Sequence, residues 1–164
     1  AHSLGSRGVI FALQRLAFER VERPAIGHLF LLAPDFDSQT FNELQPGLVS
    51  LTGGMTLYAS DNDAPLKVSR QLSGYPRLGE AGAYLTLMEG MDTIDVSSVG
   101  RYQITGHEYF YFHPRVTADL VALLSTGASA AQRSELQAQK RNGIRYWTFR
   151  DTVHSDGPAS TVAD

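Results

Sequence analysis

A serine near the start of the sequence lies in a pattern that can make it a nucleophile. Residues 1–5 read Ala-His-Ser-Leu-Gly, which matches small-x-Ser-x-Gly. Such a serine lies on a strained strand-to-helix turn, and the residues two positions away must be small for the turn to close. Its hydroxyl then projects at the carboxyl edge of a sheet, where the next amide can help to hold an oxyanion. The pattern predicts Ser3 as nucleophile and the Leu4 amide as oxyanion donor, although an ordinary helix N-cap serine has a similar local sequence.

A nucleophilic serine of this type needs a histidine that follows a later strand. Gly106-His107 comes after a predicted strand and before a helix that starts at Pro114, so His107 is the candidate general base. His113 is the main alternative, but it directly precedes Pro114, and we expect it to be structural. His2 lies within the serine motif, and we expect it to pack beside the site.

The acidic partner should lie between the serine and the histidine in the chain. Asp63 follows the predicted strand 55–60 and opens a helix, so its carboxylate is expected at the same sheet edge. Asp61 is two residues nearer that strand, and Asp35 and Asp37 follow the preceding strand. Asp63 is the preferred candidate, Asp61 and Asp35 remain alternatives, and any of them could equally be a turn or N-cap residue.

Other kinds of site are disfavoured by the sequence. The segment 61–63 resembles the start of a calcium loop, but Pro65 and Leu66 stand where a ligand and a glycine are required. The five histidines show no paired zinc-ligand spacing, and the sequence contains no phosphate-binding or dinucleotide-binding glycine motif. We therefore expect no metal and no cofactor.

Composition narrows the possible partners. The chain has 164 residues, of which 43% are hydrophobic, and this is enough for one hydrophobic core of ordinary size. Its formal net charge of −3 provides no excess of positive charge that would attract nucleic acid. No apolar run approaches the ~18–20 residues that a transmembrane helix needs. The absence of cysteine rules out disulfides and thiolate nucleophiles. A small molecule is thus the expected ligand.

The elements that would position these residues alternate between helix and strand. A helical stripe from Val9 to Ala17 precedes an apolar strand at 27–33, and Asp37 or Ser38 could cap a helix that carries Phe41 and Leu44. A strand at 55–60, a helix at 64–72, a strand at 93–96 and a helix that begins at Pro114 and ends before Gly127 follow. This alternation predicts an α/β domain with a parallel sheet.

The remaining segments are less regular. The aromatic run 109–112 is expected to form core and pocket wall. Residues 128–141 are expected to form a polar helix that exposes Arg133, Lys140 and Arg141, and residues 144–149 an edge strand. Residues 155–164 have the composition of a disordered tail. We accordingly divide the chain into a domain at 1–125 and a polar helical or irregular tail at 126–164.

Taken together, the serine motif, Leu32-Ala33-Pro34-Asp35, the segment 58–63 and Gly106-His107 resemble the α/β-hydrolase fold. The resemblance is greatest to a bacterial branch of uncharacterised esterase/lipase-like proteins, and it covers roughly residues 1–125. It implies a parallel-sheet hydrolase-like fold that begins at the nucleophile turn. It further implies that this chain is the C-terminal half of the domain, with earlier strands and a second oxyanion donor outside it.

The resemblance implies Ser3 as nucleophile, Asp63 as acid and His107 as base in hydrolysis of a carboxylic ester. One missing oxyanion donor costs ~10²–10³ in rate, so we expect residues 1–164 alone to be a poor enzyme. The alternative is a non-catalytic hydrolase-like module that binds a ligand or partner.

Overall fold

The fold is a five-stranded mixed sheet with helices on both faces. The computed structural model describes residues 1–19, 24–99 and 106–151. These residues contain five helices and five strands, which alternate as far as α4, and three short 3-10 turns at 82–84, 97–99 and 130–132. In chain order the helices and strands are α1 Gly5–Phe18, β1 Leu29–Leu32, α2 Ser38–Val49, β2 Met55–Ala59, α3 Ala64–Ser73, β3 Asp92–Asp95, α4 Tyr109–Phe112, α5 Pro114–Thr126, β4 Leu136–Arg141 and β5 Ile144–Phe149.

The sheet order is β1-β2-β3-β5-β4. The first four strands in this order pair in parallel, and β4 pairs antiparallel with β5. Parallel neighbours connected through helices bring the carboxyl ends of β1, β2 and β3 to one edge. The predicted α/β class is therefore confirmed, with a sheet that is parallel except at β4.

Alternating side chains of the strands face two cores. Leu57 of β2 belongs to the cluster that includes α1 and α2, whereas Tyr58 belongs to the cluster that includes α3, α4 and α5. All five residues of β2 are buried because helices cover both faces of this central strand. The apolar run at 27–33, which the sequence also suggests is covered on both faces, contains β1 instead, and the residues of β1 alternate between buried and half-buried.

The predicted helix signals hold at several boundaries. The Asp37 carboxylate accepts a hydrogen bond from the Thr40 amide at 2.7 Å and caps α2. The helix that begins at Pro114 ends at Thr126, and Gly127 follows it with a left-handed backbone. The four-residue helix α4 lies within the aromatic run 109–112, of which the first two residues are buried and the last two are exposed.

The predicted helix at 128–141 is wrong. Residues 136–141 form β4, which continues through an Asn142-Gly143 turn into β5. Both turn residues have positive φ, 52° and 83°, the conformation that a two-residue hairpin turn requires. The predicted strand at 144–149 is present, but it lies between β3 and β4, so β4 is the edge strand. The assignment of residues 1–125 to half of a hydrolase domain stays a prediction.

Arg133 was expected on a solvated helix face and is instead 5% exposed. One of its guanidinium nitrogens lies 2.6 Å from Asp119 Oδ2 on α5 and 2.9 Å from the Tyr58 hydroxyl on β2. This buried ion pair links the segment before the hairpin to α5 and to the centre of the sheet. The predicted disordered segment 155–164 lies outside the described residues. Among the helices that are described, none is both long and apolar enough to cross a membrane.

Candidate active site

Ser3 lies on a sharp turn between an extended segment and α1. The Leu32 amide donates to the Ala1 carbonyl at 2.9 Å, and the Ser3 amide donates to the Leu32 carbonyl at 3.1 Å, so the chain runs parallel to β1 up to Ser3. Ser3 then adopts a φ of 49°, a left-handed conformation that is costly for a residue with a side chain. Leu4 is the N-cap residue of α1, so its amide lies at the positive end of the helix dipole.

The steric reason predicted for Gly5 does not apply within the described residues. A Cβ atom added at Gly5 would meet no atom within 4 Å there. The backbone strain of the turn is carried by Ser3 itself, and the neighbouring amide of Asp35 supports the turn by donating to the Ser3 carbonyl at 3.1 Å.

Asp63 lies just beyond β2, where it caps α3 and faces the site with the same carboxylate. Its Oδ1 atom accepts from the Leu66 amide at 3.0 Å, and its Oδ2 atom lies 2.7 Å from His107 Nδ1. The Asp63 side chain is fully buried. Because one oxygen is held by the helix start, the direction in which the other oxygen faces is fixed.

His107 lies between the two side chains. Its Nε2 atom is 2.8 Å from Ser3 Oγ, and its Nδ1 atom faces Asp63. A carboxylate can only accept, so Nδ1 carries the proton, and Nε2 is left to accept from the Ser3 hydroxyl. The hydrogen bond to Asp63 raises the pKa of His107 above its ordinary value, and burial partly opposes that rise.

The ring of His2 packs against this histidine and is itself packed against Phe110. The ring centroid of His2 lies 4.9 Å from that of His107, and Phe110 lies 4.5 Å from His2. Burial lowers the pKa of His2, and the neighbouring His107 lowers it further. His2 is therefore held as a neutral packing side chain, as the sequence predicted.

The loop that carries His107 is packed tightly against the loop that carries Asp63. Gly106 has a φ of 64°, and a Cβ atom there would lie only 2.4 Å from the Asn62 carbonyl oxygen. No side chain fits at such a distance, so glycine is required for the two loops to meet. The sequence places Gly106 in the Gly-His motif but does not reveal this steric role. The only signal for it is that a glycine directly precedes the histidine.

The alternative acids lie elsewhere in hydrogen-bonded networks. The Asp35 carboxylate accepts from Ser69 Oγ at 2.7 Å and pairs with Arg7 at 3.3 Å. Asp37 caps α2 and pairs with Arg77, and Asp61 is exposed beside Ser97. The structure thus brings Ser3, His107 and Asp63 into one row of hydrogen bonds and leaves the other predicted acids out of it.

The alternative base also lies apart from that row. His113 is the N-cap residue of α5 and the C-cap residue of α4, so its main chain joins two helices. Within the parts of the chain that the structure describes, no group of three or more acidic, histidine or cysteine side chains could hold a metal ion.

Comparison with known proteins supplies the family. Searches among curated proteins and among solved structures found no match to the chain. A family model described as an alpha/beta hydrolase of unknown function, DUF900, matches residues 1–124. The matched region contains the turn at Ser3, strands β1 to β3 and the loop of His107. On the extent of this match, the chain belongs to the alpha/beta hydrolase family DUF900.

Proposed function

We propose that the protein is a serine hydrolase of carboxylic esters. The observation that carries the proposal is the unbroken row of hydrogen bonds from Asp63 through His107 to the Ser3 hydroxyl. Serine, histidine and aspartate in this order along the chain and in this geometry are typical of acyl transfer on an α/β-hydrolase sheet. Membership of a hydrolase family supports the same chemistry.

In the proposed first step, the Ser3 oxygen attacks the ester carbonyl while His107 Nε2 takes the hydroxyl proton. The tetrahedral intermediate collapses, the bond to the alcohol breaks, and His107 delivers that proton to the leaving alkoxide. Asp63 holds the imidazole orientation and stabilises the imidazolium. Water then attacks the acyl-enzyme with His107 again as base, which releases the acid and restores Ser3.

The start of α1 supports the intermediate electrostatically. The Leu4 amide lies directly after the nucleophile and at the positive end of the helix, where negative charge is favoured. We propose that this amide donates one hydrogen bond to the oxyanion. The burial of Asp63 also strengthens its interaction with the imidazolium, because fewer waters compete for the carboxylate.

Hydrolysis of p-nitrophenyl esters by the full-length protein tests the proposal. We expect Ser3→Ala and His107→Ala each to lower kcat by about 10⁴- to 10⁶-fold with the fold retained. His113→Ala is the matched control, because it removes the competing histidine and should leave turnover unchanged. A fluorophosphonate should label the protein, and mass spectrometry should locate the label at Ser3 rather than at the buried Ser6.

Full turnover in Ser3→Ala would contradict the assignment of the nucleophile. A folded protein that neither hydrolyses esters nor reacts with the fluorophosphonate would contradict the proposed function. That result would favour a non-catalytic hydrolase-like module that binds a ligand.

A further inference from the structure

His107 depends on a loop for its position. It precedes α4, a helix of only four residues, and it is not itself part of a strand or helix. By contrast, Ser3 lies two residues before the start of the 14-residue α1, and Asp63 caps the ten-residue α3. The position of His107 relative to its two neighbours therefore depends in part on what fixes α4 to the sheet.

Tyr109, two residues after His107, makes that connection. Its side chain is buried, and its hydroxyl accepts a hydrogen bond from the Ala33 amide at 3.1 Å. The same hydroxyl donates to the Tyr58 carbonyl at 2.9 Å. One oxygen atom thus joins α4 to the carboxyl ends of two adjacent parallel strands, β1 and β2.

These two strand ends also hold the other members of the site. Leu32, the residue before Ala33, accepts the hydrogen bond of the Ser3 amide. The strand that contains Tyr58 ends at Ala59 and leads to Asp63 four residues later. The Tyr109 hydroxyl therefore holds the histidine loop to the same main-chain segments that fix Ser3 and Asp63.

We propose that Tyr109 is a positioning residue whose hydroxyl holds α4 on β1 and β2 and so fixes His107 between Ser3 and Asp63. The predicted effect on turnover rests on the proposed ester hydrolysis, whereas the predicted effect on the His107 geometry does not. Burial raises the pKa of Tyr109 well above its ordinary value, so the hydroxyl keeps its proton and remains a donor.

Removal of the hydroxyl should leave the fold intact. In Tyr109→Phe the ring still fills its place in the core, and the Ala33 amide can still donate to the Tyr58 carbonyl, from which it lies 3.2 Å away. What is lost is the hydrogen-bonded connection between α4 and the two strands. Tyr111→Phe is a matched control, since it removes a hydroxyl from the same short helix at a side chain that is 71% exposed.

Two readouts on the full-length protein separate the inference from the proposed function. Nuclear magnetic resonance gives the pKa of His107 and the resonance of its Nδ1 proton, and steady-state kinetics gives kcat and KM. His107 faces Asp63 and His2, with Asp35 and Glu108 as further charged neighbours, and both variants leave these four groups unchanged.

In Tyr109→Phe we expect the His107 pKa to fall toward its ordinary value, because the imidazole moves away from Asp63. We expect kcat to fall by about 10- to 100-fold with little change in KM, the loss typical of a displacement of about 1 Å. Tyr111→Phe should change neither. A folded Tyr109→Phe protein with an unchanged His107 pKa would overturn the inference.

A wild-type protein without ester turnover would refute the proposed function, while the His107 pKa would still decide the role of Tyr109. If Tyr109→Phe fails to fold, 3-fluorotyrosine incorporated only at position 109 takes its place. This residue keeps the ring and the hydroxyl but alters the strength of its hydrogen bonds. The His107 Nδ1 proton resonance should then shift, and an unshifted resonance would overturn the inference.

Discussion

Gly106→Ala is expected to separate the histidine from its neighbours without removing any functional group. An added Cβ would lie 2.4 Å from the Asn62 carbonyl oxygen, whereas ordinary van der Waals contact begins at 3.4 Å. The obstacle is main chain rather than a flexible side chain, so we expect the two loops to move apart by about 1 Å, which separates His107 from Asp63.

The size of the effect follows from that distance. A misplacement of about 1 Å at a reacting group can cost about 10²-fold in rate, so we expect kcat to fall by that factor. The backbone adds a separate cost, because a φ of 64° is left-handed and disfavours a residue with Cβ by about 1–2 kcal/mol. The free energy of unfolding should thus fall by at least this amount.

Gly127→Ala is the matched control. Gly127 has nearly the same φ, 66°, but a Cβ there would meet no described atom within 4 Å. We expect it to lose about 1–2 kcal/mol of stability and to keep its turnover. The assay is ester hydrolysis of both full-length variants, with thermal or denaturant unfolding measured in parallel. If Gly106→Ala keeps the wild-type kcat, the contact between the two loops does not position His107, and the reasoning is refuted.

Two further predictions concern charged groups. Asp63→Asn should preserve the cap on α3 but lower kcat by about 10⁴-fold. In the wild type, kcat/KM should rise with pH above about 6.5, because neutral His107 is the base and its pKa in the folded protein is raised. In the variant, which lacks the carboxylate, we expect this rise to occur at lower pH. An unchanged pH profile would show that Asp63 does not raise the pKa of His107. Arg133→Met should cost about 3–5 kcal/mol of stability, because it leaves the Asp119 carboxylate buried without its cation. Burial raises the pKa of Asp119, so the folded protein binds this proton more tightly than the unfolded chain and its stability declines as pH rises. Denaturant unfolding should therefore show a smaller loss of stability in Arg133→Met at about pH 4 than at about pH 8. An equal loss at both pH values would contradict this account.

Much of the candidate site could be predicted because its residues lie at element boundaries with local signals. Asp63 carries a helix N-cap signal directly after an apolar strand, and the structure confirms both the cap and the strand. Parallel connectivity then requires the ends of β1 and β2 to share one edge. The helix start favoured Asp63 over Asp35 but could not exclude Asp35, because both follow strands at that edge and the deciding contacts are tertiary.

The C-terminal hairpin is the part of the fold for which the sequence predicted the wrong secondary structure. Residues 128–141 are polar and contain good helix formers, so local composition favours a helix. The Asn142-Gly143 pair between alternating residues is a strong hairpin signal, and it indicates that the preceding residues form a strand. β5 pairs with β4 on one side and with β3 on the other, so the hairpin is joined to the sheet, and this tertiary context overrides the helical preference.

The burial of Arg133 could not be predicted from the sequence at all. Most arginines are exposed, and a buried one requires a partner that is itself buried. Here the partners are Asp119, 14 residues earlier, and Tyr58, 75 residues earlier. No local pattern connects three such positions.

The sequence by itself determined the alternation of strands and helices, the caps that start α2 and α3, and the serine and histidine on which a hydrolase reading depends, because each is encoded within a few neighbouring residues. Only the tertiary structure decided that Asp63 rather than another carboxylate faces His107, that Gly106 allows the two loops to touch, and that a tyrosine hydroxyl joins α4 to two strands. These contacts join residues 44 to 76 positions apart, and their geometry exists only once the sheet has brought the strand ends together.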